Sequence, residues 1–257
     1  MVNKPSAAKA LKFFLSDVYN NLGKVILTNL VWTACFLPCL LIGMRIKQNF
    51  SPLTFLILVG SFLLTSPALG GTFHLARKIV LNDPYIEVGD FIEGVKKYWK
   101  KSLFLLAISL IVPVLIAGAL VFYGEMAKSF SIGIILWALS LWAFIFFLLM
   151  QIYLFPLMVT QKKMGLRNLL KTSLLLALNN VGFTVIVVLV ELVLLFLFSI
   201  TGLIFIGGAS AIALLQINAF VELSKRYTGE EIRKERKREP KSVGQLLREV
   251  FFPWKYE

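Results

Sequence analysis

Five stretches of the chain, residues 25–44, 48–76, 102–124, 129–161 and 192–221, contain no Asp, Glu, Lys or Arg. The last continues upstream through 172–190, with Glu191 as the one interruption. A helix needs about 20 mostly apolar residues to cross roughly 30 Å of hydrocarbon, and each stretch meets that length. The pattern predicts six helices, at roughly 24–44, 53–76, 102–124, 131–158, 181–200 and 202–223. The fold class is therefore all-α, a polytopic transmembrane bundle of six spans. The last two spans meet at Ser199-Ile200-Thr201-Gly202, an uncharged tip that predicts a tight turn between antiparallel neighbours. Pro38, Pro67 and Pro113 fall inside spans one, two and three. Each removes a backbone donor and is expected to bend its helix, and Ser66-Pro67 followed by Gly70-Gly71 is the strongest break.

Between the spans the pattern turns amphipathic. Ala7, Ala8, Leu11, Phe14, Leu15, Val18 and Leu22 recur at helical spacing, with Lys9 and Lys12 off that stripe. Asp90-Phe91-Ile92-Glu93 reads as a capping box. It opens a helix whose Phe91, Val95, Tyr98 and Trp99 share a face, with Lys96, Lys97, Lys100 and Lys101 around it. Gly165 to Leu178 places Leu166, Leu169, Leu170 and Leu174 beside Arg167 and Lys171. A basic helix with one apolar face lies in the headgroup plane, which would make anionic headgroups its partners. Packing on the ends of the spans explains the same pattern, and both readings stand at this point. Three parts follow: an amphipathic N-terminal helix over 1–23, the six-helix membrane domain over 24–226, and a basic tail over 227–257. In that tail the charged stretch 229–241 precedes a short segment, 242–256, suited to the interface.

Charge then orients the chain. Of 27 Lys and Arg residues, 24 lie in the N-terminal segment up to Lys24, the 77–101 loop, the 162–171 loop and the stretch from Lys225 onward. The other side keeps Arg45, Lys47 and Lys128. Positive charge collects on the cytoplasmic side, so both termini are expected there, in a multi-pass protein of the cell membrane. The same asymmetry accounts for the net charge of +13 without a nucleic-acid partner.

Candidate chemistry is sparse. Cys35 and Cys39 sit one turn apart in the first span, a spacing that suits packing. A single histidine leaves no metal quartet to assemble. Ser-His-Asp sets, phosphate loops and paired carboxylates do not appear, so the reading is non-enzymatic, with no cofactor or metal. Glu191 is the sharpest residue. It falls about ten residues, roughly 15 Å, from either surface, where a carboxylate is costly and marks a functional candidate. Reflecting the hairpin about residue 201 sets it against Gly207 to Ala211, with Ser210 as a hydrogen-bond donor. Gln151, Gln216, Asn218 and Glu222 form a looser polar set near the basic ends of spans four and six. Asn179 and Asn180 join them, and His74 is expected to face headgroups or water. These residues suit either a solute path or interhelical hydrogen bonds.

Four segments resemble the YesL-like family of bacterial membrane proteins: NLVWTACFLPCLLIG at 29–43, SPALGGTFHLARKIV at 66–80, DFIEGVKKYWKKS at 90–102 and YLFPLMVTQKKMGLRNLLKTSLLLALNN at 153–180. The resemblance covers about 25–225. The extra hairpin with Arg45 and Lys47 and the tail after 228 depart from it. What it implies is a helical membrane protein found beside carbohydrate uptake and breakdown systems, with transporter subunits as partners. It implies no reaction. Two functional expectations follow: an accessory component or small carrier in solute transport, or a membrane scaffold or sensor that binds lipid or a partner protein through its basic helices.

Overall fold

The computed structural model describes residues 5–46, 51–83, 86–87 and 89–228. The expectations for the tail and for Lys47 lie outside the described residues. Nine α-helices and one π turn make up the described fold: α1 (Ala7–Asn20), α2 (Leu22–Ile46), α3 (Pro52–Leu63), α4 (Ser66–Val80), α5 (Gly89–Ala127), α6 (Ser131–Thr160), α7 (Leu166–Asn179), α8 (Val181–Thr201), the π turn Ile204–Gly208, and α9 (Ala209–Thr228). Taking α3 with α4, and the π turn with α9, six helical units are long and apolar enough to cross a membrane. This is the polytopic all-α bundle that the spacing of charges predicts, and no strand interrupts it among the described residues.

Local chemistry explains the boundaries. The Ser6 hydroxyl accepts from the Lys9 N–H at 3.3 Å and opens α1. Ser51 caps α3 in the same way, accepting from the Thr54 N–H at 3.1 Å, with Pro52 in the first turn. The second span breaks between Leu63 and Ser66, and Pro67 sits in the first turn of α4. Pro38 and Pro113 behave differently. They lie inside α2 and α5, which run through them unbroken, as α6 runs through Pro156. Gly202 has φ +70° and ends α8 in the left-handed conformation that glycine adopts without strain. Asn82 takes φ 53° just after α4, a conformation that Asn tolerates better than most residues.

Packing is uneven along the bundle axis. α9 is mostly buried, whereas most of the apolar stretch in each of the other five units is half-buried or exposed. Around α9 gather α1, α4 and the second half of α6, and α4 runs along the start of α5. Gly71 and Gly94 make that last crossing possible. A Cβ on Gly94 would stand 2.6 Å from the His74 Cβ and 2.9 Å from the Gly71 Cα. One on Gly71 would meet the Phe91 carbonyl oxygen at 2.7 Å. Small residues at a crossing let helix backbones approach closely.

This crossing corrects the expectation of an interfacial helix over 90–101. The segment is the first part of the 39-residue α5, continuous with the third span. Its Phe91 and Tyr98 are buried, and Val95 is half-buried against Gly71. Only Trp99, of the four face residues, points outward, with the Lys100 ammonium 5.3 Å from its ring centre. Burial between helices is available to this face because glycines bring α4 close. Asp90 is no capping box either: it pairs with Lys78 at 2.6 Å and accepts from the Glu87 N–H at 2.9 Å. α1 and α7 also pack inward, through Ala10, Phe14 and Asp17 in α1 and through Leu169, Ser173 and Ala177 in α7.

Candidate functional site

Glu191 lies on α8, where each flanking turn is apolar and no cation shares the helix. Its carboxylate accepts from the Gln216 side-chain amide, at 2.9 Å to one oxygen and 3.1 Å to the other. The partner on the sixth span is thus Gln216, and the expected apposition to Gly207–Ala211 is not found. A symmetrical reflection fails because the turn extends through Gly202 and Leu203 into the π turn. That turn carries an extra residue in its hydrogen-bonded ring and shifts the register of α9.

Ser210 is drawn elsewhere. Its N–H donates to the Asn29 Oδ1 at 3.2 Å, while its hydroxyl finds no partner among the described residues. Asn29 is fully buried on α2 and also donates to the Ile204 carbonyl at 3.1 Å. Thr33, one turn further, donates to the Phe205 carbonyl at 2.8 Å. Two α2 side chains therefore satisfy backbone groups at the start of the π turn, and this ties the first span to the last. Near by, α2, α4 and α9 leave a small pocket lined by residues such as Thr28, Thr72, Ser210 and Leu214. It has room for about one water molecule.

The remaining polar set does not converge on Glu191. Gln151 accepts from the Ser109 hydroxyl at 2.7 Å, joining α6 to α5. Asn218 donates to Asp17 of α1 at 2.9 Å, and both are buried. Glu222 pairs with Lys225 at 3.0 Å. Asn179 is exposed, while buried Asn180 donates to the Tyr227 hydroxyl at 2.8 Å and accepts from Arg226 at 2.6 Å. The Tyr153 and Thr184 hydroxyls lie 2.8 Å apart beside it. Gln151, Asn218, Asn180 and Tyr153 each tie one helix to another, whereas the Glu222 pair lies within α9.

Asp17 and Asn29 have no place in the sequence reading. The signal for Asp17 was a carboxylate between Phe14 and Val18 on an otherwise apolar face. A lone Asn in the first span was the signal for Asn29.

At the basic end a different grouping forms. His74 of α4 is 3% exposed, not facing headgroups as expected. It is shut in by the glycine crossing, and its ring centre lies 5.6 Å from that of Tyr98. Its Nε2 is 3.8 Å from Glu93 Oε1, and neither ring nitrogen makes a hydrogen bond among the described residues. Glu93 also stands 3.6 Å from the Lys97 ammonium. The Tyr98 hydroxyl donates to the Val159 carbonyl at 3.3 Å, and Lys101 donates to the carbonyls of Lys162 and Met164 at 3.0 Å each. These bonds bring the α6–α7 turn against α5. There the charges of Lys97 and Arg77 hold the Lys162 ammonium below the ordinary lysine range. Sequence spacing could not join these residues, because they come from three separate segments.

Comparison with models of known families, with curated proteins and with solved structures gave no match.

Proposed function

We propose that this chain is a non-enzymatic accessory protein of the cell membrane, associated with solute transport and with carbohydrate uptake foremost, which acts through its basic end. The observation that carries this reading is the pairing of the polar groups within the spans. Glu191 is taken up by Gln216, Gln151 by Ser109 and Asn218 by Asp17. Each of these groups is held by a bond to another helix, which supports a joining role over a path for a sugar, although Gln151 Nε2 and Gln216 Oε1 keep no partner among the described residues. The resemblance to the YesL-like family supplies the link to carbohydrate systems, and membership of that family is part of the proposal. The positive-inside bias sets the basic end and both termini in the cytoplasm.

Two measurements test this. Purified protein in proteoliposomes should give no sugar flux by itself, while loss of the chain from its cell should lower uptake and the chain should co-purify with transporter subunits. Flux through the protein alone would replace this reading with the small-carrier one. For orientation, with Cys35 and Cys39 replaced, an impermeant thiol reagent should label a cysteine at Ser129 in intact cells and miss one at Lys163. The reverse pattern inverts the topology.

A second reading, a scaffold or sensor, draws on the same basic end and needs no transporter. It is favoured by the exposed Trp99 beside Lys100, an aromatic and a cation that suit an interface. Co-purification with a soluble protein and unchanged uptake would select it.

A further inference from the structure

We propose that Arg77, Lys97 and Lys162, with His74 beside them, form a binding site for a phosphomonoester group at the basic end of the bundle. The proposal stands apart from any role in transport. Its first support is charge. Lys97 of α5 stands 3.6 Å from Glu93, and Lys162 of the α6–α7 turn lies within the electrostatic reach of Lys97, of Arg77 of α4 and of that one carboxylate. Lysines on flexible stems ordinarily spread apart in water. Here the backbone draws them together, because Lys101 anchors the turn by its two carbonyl bonds and Tyr98 anchors the end of α6. The mutual repulsion shows in Lys162, which loses its proton more readily than an ordinary lysine. A bound dianion would neutralise the excess.

The second support is unmet hydrogen bonding. The Arg77 Nε–H is buried and has no partner among the described residues. His74 is 3% exposed with both ring nitrogens unbonded, and its Nε2 faces the Glu93 that Lys97 shares. Buried polar groups in folded proteins are nearly always satisfied, so orphaned ones need an explanation. A phosphomonoester offers several strong acceptor oxygens and close to two negative charges at neutral pH. A guanidinium fork with two ammoniums is the donor set that recognises it. The group is carried either by a lipid headgroup, as in phosphatidic acid, or by a soluble phosphate compound, and the site's chemistry suits both.

The test uses the full chain purified in detergent, with binding read from thermal unfolding. Inorganic phosphate is compared with chloride at equal ionic strength, and dioctanoyl phosphatidic acid with dioctanoyl phosphatidylcholine. One or both phosphomonoesters should raise the melting temperature in a saturable way. Lys162→Gln should weaken that binding about ten-fold, the loss expected for one charge-assisted hydrogen bond. Arg77→Gln should weaken it at least as much, and Lys128→Gln, at the opposite end, should leave it unchanged. Lys162 is exposed, so its variant keeps the test intact even where Arg77→Gln does not fold. Binding of phosphatidic acid without phosphate assigns a lipid, and binding of phosphate assigns a soluble compound. The proposal is overturned if neither probe exceeds its control, or if Lys162→Gln and Lys128→Gln bind alike.

Discussion

The two ends of the bundle are built on different principles. At the basic end, α4, the start of α5, the end of α6 and most of α9 bury one another, with glycines at the crossing and polar ties between helices. At the other end, large side chains such as Val114, Leu115, Phe122, Ile135, Trp142 and Phe196 point away from the protein. In a bilayer no hydrophobic force draws such helices together, because lipid tails are as apolar as leucine. Association then depends on close approach and on hydrogen bonds. The glycine crossing of α4 and α5 lies at the basic end, and so does the densest packing.

The sharpest way to break this contrast is a pair of glycine substitutions on one helix. Gly94→Ala puts a Cβ 2.6 Å from His74 and against the backbone of Gly71. It should cost about 1–3 kcal/mol, as overpacking does. Gly118→Ala meets nothing within 4 Å. It should be neutral or stabilise by up to about 1 kcal/mol, because glycine weakens a helix interior. Thermal unfolding in detergent measures both, and equal costs would dissolve the distinction between the ends. Next in size is Asp17→Ala, which removes the bond from the buried Asn218 amide to α1 while its bond to the Leu214 carbonyl stays. It should cost about 1 kcal/mol and loosen α1, seen as faster hydrogen exchange over residues 7–20.

An effect of similar size is expected within the spans. Gln216→Leu removes the partner of Glu191 and should cost about 1 kcal/mol, the scale of interhelical hydrogen bonds in membranes. Glu191→Gln keeps an acceptor for the Gln216 amide and should leave the melting temperature nearly unchanged. If that variant unfolds, the carboxylate has a structural duty that an amide cannot replace.

The smallest prediction concerns pH. Lys162 has a lowered pKa because Lys97 and Arg77 repel its charged form. A base lowered in this way disfavours the folded state while it is charged. Stability should therefore be withheld at neutral pH and recovered as pH rises through the depressed value towards that of an ordinary lysine. Lys162→Gln should raise stability at neutral pH by no more than about 0.5 kcal/mol, since water screens an exposed charge, and should remove part of the alkaline rise. Amine acylation just below the ordinary lysine range should mark Lys162 ahead of Lys128.

Much of the fold can be read from spacing alone. Uncharged stretches of span length place the six units, and the observed helices extend them by only a few residues in most cases. Ser66-Pro67 marks the break in span two, and Gly202 marks the turn between the last two spans. Composition determines these features because the cost of taking a charge or an unpaired backbone donor into hydrocarbon is local to each residue. Partner choice is not local. A helix that is apolar all round carries no stripe to say which side faces protein, so α8 alone could not reveal that Glu191 meets Gln216. The π turn that sets this register, with α2 side chains holding its carbonyls, leaves no period in the sequence. The inward face of Phe91 and Tyr98, and the meeting of Arg77, Lys97 and Lys162, depend on glycines in two helices lying against each other. Only the tertiary structure decides that, because close packing is a property of the pair.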